Sequence, residues 1–202
     1  MKKVLFSVMI LAAFSIAKAQ NIAYGLKAGL NLSDWHTSNA DANEAYDMRT
    51  AFHVGGFVQF TLSEKFTVQP EILYSVMGSV VNISTPTLRT AEASSDLTYG
   101  LDYLSIPVMA QYKVTDAIHL ELGPQLGILL SAKAKYDGGS EDLKDDMETV
   151  DFGMNIGAGY QLENGLLFNV RYCYGLSNFV KDSGDEWYKN NVFQFSVGYK
   201  FN

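Results

Sequence analysis

A single cysteine, Cys173, stands in 202 residues, so the chain cannot close an internal disulfide. No run of about 20 apolar residues occurs, which excludes a transmembrane helix. Positive charge is scarce: 15 Lys and Arg against 22 Asp and Glu give a formal net charge of −7. An acidic chain repels phosphate backbones, so no nucleic-acid partner is expected. The three histidines, His36, His53 and His119, fall in separate stretches, and no Gly-x-Ser-x-Gly elbow occurs. His53 and His119 fall too far apart along the barrel read below to form a proton-sharing dyad. The acidic segment 137–151 lacks the spacing of an EF-hand loop. Catalytic residues, metal ligands and cofactors are therefore all expected to be none, and the chain is not expected to be an enzyme.

The start of the chain reads as an export signal, residues 1–19. Lys2 and Lys3 precede an apolar stretch from Val4 to Ala17, and Ala17-Lys18-Ala19 fits a small-x-small cleavage site. The mature domain, 20–202, would begin at Gln20, and loss of three lysines would take its net charge from −7 to −10.

What the chain has in quantity is alternation. Tyr24, Leu26, Ala28, Leu30 and Leu32 are apolar, while Gly25, Lys27, Gly29, Asn31 and Ser33 lie between them. Period two over about ten residues describes a strand between two environments. Eight such strands are read, at 22–33, 51–62, 66–78, 102–114, 118–131, 150–162, 166–177 and 191–201. The connections alternate between tight turns (63–65, 115–117, 163–165) and long loops (34–50, 79–101, 132–149, 178–190). That asymmetry predicts an all-β fold, an eight-stranded antiparallel up-and-down transmembrane β-barrel, with both termini at the short-turn, periplasmic side of the cell outer membrane. Pro70, Pro107 and Pro124 fall inside strands, where bulges are expected to accommodate them.

Alternation alone does not say which face points out. A soluble lipocalin-like barrel would turn its apolar face inward. Too many bulky apolar groups occur for so narrow a lumen. Glycines 25, 29, 55, 123, 127, 153, 157, 159, 175 and 198 crowd the polar face, and aromatics cluster near both strand ends. Together these turn the apolar face toward lipid.

Several motifs then resemble one family. Gln69-Pro70-Glu71-Ile72-Leu73-Tyr74-Ser75, Tyr103-Leu104-Ser105-Ile106-Pro107-Val108 and Gly123-Pro124-Gln125-Leu126-Gly127 look like its third, fourth and fifth strands. Asp151-Phe152-Gly153 with Gly157-Ala158-Gly159-Tyr160, and Arg171-Tyr172 with Tyr174-Gly175-Leu176, look like its sixth and seventh. The combination is similar to the PorT-like "porin family" outer-membrane β-barrels of Bacteroidota-type bacteria. The resemblance implies an eight-stranded outer-membrane barrel and no single activity. Some relatives assist a protein secretion system.

Four ionisable residues fall on the inward face at similar heights: Lys27, Glu71, Glu121 and Arg171, on the first, third, fifth and seventh strands. A proton path is the sharper reading. A structural ion network is the reading adopted, because buried charges persist mainly when paired. With Gln59, Gln69, Gln111, Gln125, Asn155, Asn169 and Gln194 also inward, the lumen should be polar and closed. Trp35, Tyr46, Trp187 and Tyr188 lie in or beside the long loops, where aromatics suit an unknown protein or glycan partner or the outer leaflet. Segment 137–151 is expected to be a solvated loop. The expected product is a monomeric barrel in outer-membrane lipid, structural or interactive in role. A narrow porin-like channel for small solutes and an accessory secretion component are the alternatives, and a soluble ligand binder is the remaining class.

Overall fold

The computed structural model describes residues 22–38, 46–83, 95–136 and 138–201. The expected leader at 1–19, the mature start at Gln20 and the acidic residue Asp137 lie outside the described residues. Nine strands occur among the described residues: β1 (Ile22–Thr37), β2 (Tyr46–Thr61), β3 (Phe66–Ile83), β4 (Ser95–Lys113), β5 (Ile118–Tyr136), β6 (Gly139–Asp142), β7 (Val150–Gln161), β8 (Leu166–Gly175) and β9 (Tyr188–Phe201). All pairings are antiparallel, β9 returns to β1, and β4 pairs with β5, so eight long strands close into an up-and-down ring. Closure leaves no sheet edge within the hydrocarbon layer, as a strand-built membrane protein requires. The short β6 pairs with the upper part of β5, beyond the point where β7 leaves it.

β1–β5 and β9 run further than the alternation predicts, while β7 and β8 stop one and two residues short of the predicted 162 and 177. β3, β4 and β5 contain 18, 19 and 19 residues, against 12 in β7 and 10 in β8. A bilayer needs only about 9–11 tilted strand residues. The surplus on β3–β5 forms a wall rising beyond the membrane at the long-loop end, while β7 and β8 stop low. Trp35, Tyr46 and Tyr188, expected in or beside loops, are strand residues. Beyond the lipid layer nothing demands an apolar outer face, so the alternation fades while the backbone ladder continues.

The prolines are accommodated without the expected bulges. The β2–β3 ladder skips a step at Pro70, β3–β4 at Pro107 and β4–β5 at Pro124, yet the register resumes unchanged each time. Each proline gives up a bond to one neighbour and keeps its pairing with the other. The register shifts sit higher, between Met48 and His53 on β2 and at Asp102/Tyr103 opposite β5. The second shift inserts Leu130, so Leu129 and Ala132 both face inward and the two-residue rhythm changes phase.

The outward face carries a band of exposed hydrocarbon, including Leu26, Leu30, Phe52, Val54, Ile72, Leu120, Leu122, Ile156, Phe195 and Val197. A patch of that extent in water would drive aggregation, whereas lipid solvates it. At the short-turn end Tyr24, Tyr199 and Phe201 stack within 5.3–5.6 Å, and Phe66 meets Tyr112 at 5.2 Å. Phe52 meets Tyr74 at 6.0 Å further up. These rings have the placement of interfacial girdles.

Candidate functional site

The lumen is where charge meets low dielectric. Lys27 on β1, Glu71 on β3, Glu121 on β5 and Arg171 on β8 converge there, each almost wholly buried. The Arg171 guanidinium reaches Glu71 twice, Nη2 to Oε1 at 2.8 Å and Nη1 to Oε2 at 3.2 Å. Its Nε donates to Glu121 Oε1 at 2.9 Å. Lys27 Nζ stands 3.3 Å from both Glu71 oxygens. Two cations thus face two carboxylates, and the cluster is neutral as a whole. The planar fork of arginine suits two carboxylates at once, which a lysine at that position could not match.

Amides finish the hydrogen bonding. Gln69 Nε2 donates to Glu71 Oε1 at 2.8 Å and Gln111 Nε2 to Glu121 Oε2 at 3.2 Å. Gln59 Nε2 and Gln111 Nε2 both approach Gln69 Oε1, at 2.7 and 3.1 Å. Glycine makes the room. A Cβ on Gly157 would lie 3.0 Å from Glu121 Oε1 and 2.5 Å from the Val170 carbonyl oxygen. The sequence-level observation that glycine crowds the polar face has this physical meaning.

A second polar layer lies toward the long-loop end. His53 Nδ1 stands 2.8 Å from Asn31 Oδ1, and Nε2 stands 2.8 Å from Ser196 Oγ. Since Asn31 Oδ1 can only accept, Nδ1 carries the proton and Nε2 accepts from the serine. Asn31 Nδ2 donates to Ser75 Oγ and the Val76 carbonyl, and Gln194 Nε2 donates to Asn31 Oδ1. His53 is a fully bonded neutral histidine, one layer away from the ion cluster. His119 lies below that cluster, near the short turns, so the two histidines share no proton.

The upper lumen is apolar, which corrects the expectation of a polar interior throughout. Trp35, Met77, Leu101, Tyr103, Leu129, Met147, Phe179 and Val192 form one buried cluster. Trp35 packs against Tyr99, Phe179 and Tyr46 at centroid distances of 4.8, 5.0 and 5.5 Å. Phe179 is fully buried, although it comes from the connection after β8. Segments 143–149 and 176–187 zip together across the low β7–β8 side. Met147 bridges Val180, Glu148 N donates to Phe179 O, and Lys181 N to Asp146 O. The acidic segment is therefore no open solvated loop: it contributes β6, a short 3-10 turn at Lys144–Asp146 and the buried Met147. Glu141, Asp142, Asp145, Asp146 and Glu148 are exposed, while Met147 and Leu143 pack on the apolar cluster. The buried Asp151 carboxylate accepts from Ser177 and Asn190.

Of the four aromatics singled out for partner contacts, Trp35 is buried in this cap and presents no surface. Tyr46 and Tyr188 are half-buried at its rim, and the Tyr188 hydroxyl donates to Glu186 at 2.8 Å. Trp187 is exposed, with Lys189 Nζ 4.8 Å from its ring centroid. Sequence reasoning missed Phe179, Tyr103 and Arg49. The Arg49 guanidinium donates to the Met77 and Tyr99 carbonyls at 2.6 and 3.2 Å, over Gly78 and Gly100. Gly78 has φ of +137°, a conformation that favours glycine. The Gly78 and Gly100 pair was the available signal for a side chain crossing there.

The model of a family described as "Outer membrane protein beta-barrel domain" matches residues 18–181. No curated protein sequence matches the chain. Among solved structures it is similar to Neisserial surface protein A, at 11% identity and a TM-score of 0.57, covering 90% of this chain and all of that one. It is also similar to Ail, the attachment invasion locus protein of Yersinia pestis, in complex with the heparin analogue sucrose octasulfate. That match has 13% identity, a TM-score of 0.50, and covers 90% of this chain and all of that one. At such identities the likeness concerns the fold.

Proposed function

The chain belongs to the outer membrane protein β-barrel domain family, and from that premise we propose a closed, non-catalytic barrel that works through its long-loop end instead of conducting solutes. One observation carries this reading: the lumen is blocked at two levels, by the Lys27–Glu71–Arg171–Glu121 cluster and by the apolar cap around Trp35 and Phe179. Opening a path would require breaking a buried ion network and extracting a hydrophobic cluster together. Both barriers make a narrow porin-like channel the weaker reading.

In this reading the short turns face the periplasm and β6, the 3-10 turn and segment 176–187 face outward. The wall of β3–β5 and the folded cap give the outward end a fixed shape on which a protein or glycan can dock. The PorT-like assignment and an accessory role in secretion are supported by motif resemblance alone. Orientation is tested by cysteine labelling in intact cells. A cysteine at Asp182 should react with an impermeant maleimide, and one at Glu64 only after the outer membrane is permeabilised. The reverse pattern would sink the orientation. Photo-crosslinking from Asp145 and Asp182 in native membranes tests the docking role; adducts only from Glu64 or Asp116 would contradict it.

A further inference from the structure

A polar cavity of about 100 Å³ opens at the short-turn mouth, below the ion cluster. Its floor includes Gln59, Gln111 and His119, and the paired charges above make it blind. Lys113 and Lys200 both line it. Each is on the lumen-facing half of its strand: Lys113 in step with Met109 and Gln111, Lys200 in step with Gln194 and Ser196. They lie within electrostatic reach of one another, and among the described residues neither is in an ion pair. Glu64 and Asp116, on exposed turns, also line it, and neither forms an ion pair with either lysine. Lys27 and Arg171, by contrast, are fully matched by carboxylates.

Two like charges turned into one small cavity repel each other unless an anion joins them. The remaining lining suits one. Thr115 Oγ1 already accepts from the Ala117 and Ile118 amides, so its hydroxyl hydrogen is left to donate. His119 Nε2 is turned away from the mouth, 3.3 Å from Asn169 Nδ2 and 3.9 Å from Glu121 Oε2. Thr61 and Thr67 add hydroxyls to the wall. The volume equals that of about three water molecules, enough for one compact tetrahedral group.

We propose that the short-turn mouth is a phosphate-type oxyanion site, with Lys113 and Lys200 as the paired cations and the threonines as neutral donors. The phosphate comes either from a free solute or from a phospholipid headgroup of the adjoining leaflet. This site does not depend on which side of the membrane the mouth faces.

The test uses the refolded full barrel in maltoside micelles, which carry no phosphate, titrated with inorganic phosphate at constant ionic strength and followed by phosphorus NMR line broadening. Saturable binding is expected, weakened about tenfold by Lys113→Gln and again by Lys200→Gln, and unchanged by Lys65→Gln. In the absence of phosphate Lys65→Gln should keep the wild-type unfolding midpoint, and neither Lys113→Gln nor Lys200→Gln should lower it, since each removes a repulsion. If the double variant fails to fold, the two single variants decide. Repeating the titration in phosphatidylglycerol nanodiscs separates the sources. Retained binding identifies a solute site, and loss of binding in nanodiscs alone identifies a headgroup already seated there. Absence of saturable binding in micelles, or equal binding by wild type and both lysine variants, overturns the proposal.

Discussion

At the scale of single residues the account rests on Arg171. Its guanidinium touches both buried carboxylates, so removing it leaves Glu121 without its cation and Glu71 held by Lys27 alone. Arg171→Ala should cost about 3–5 kcal/mol. Glu71→Ala in the same background should then cost less than it does alone, with a coupling of about 0.5–3 kcal/mol. Urea unfolding of the refolded barrel and its variants measures both, and strictly additive losses would deny the contact. Gly157→Ala tests the same place from the other side. Its methyl would meet a fixed carbonyl oxygen and the Glu121 carboxylate, and a loss of about 1–3 kcal/mol is expected in the same assay. These inward positions were legible in the sequence because Lys27, Glu71, Glu121 and Arg171 keep strict two-residue phase with their strands in the membrane-depth region. Arg49 was not, because it sits beside a register shift that breaks that phase.

At the scale of elements the cap is the least anticipated feature. The tight turns and the membrane-depth strands follow from alternation and loop length. The upper strands do not, since their outer faces meet water and their inner faces meet an apolar cluster. Leu130 shifts the phase of β5 at that height, so counting by twos from below misassigns Ala132 and Ala134. Phe179 carries no periodic signal because its segment is not a strand. The cap makes a spectroscopic prediction: Trp35 is buried and Trp187 is exposed. In the Trp187→Phe variant the remaining emission should be blue-shifted and resist acrylamide. In the Trp35→Phe variant it should be red-shifted and readily quenched. Equal quenching of the two would mean that the cap does not persist in solution. Phe179→Ala should cost about 3–5 kcal/mol or, if the cap melts independently of the ring, make segment 176–187 sensitive to protease while the strands stay protected.

At the scale of the whole molecule, eight strands close, an apolar band faces lipid and the interior is filled. Place and architecture were both readable from alternation, glycine crowding and the contrast of short turns with long loops. What filled the interior was only half readable: the ion cluster could be inferred from four phased charges, while the apolar upper layer depended on contacts between distant connections. A closed ring of this kind should unfold as one cooperative unit and run at a lower apparent mass in a gel when unheated. The most direct test of the account is a planar-bilayer recording of the folded wild-type barrel. The blocked lumen predicts a flat baseline without stable step openings, and large, stable conductance steps from the wild-type barrel would contradict it.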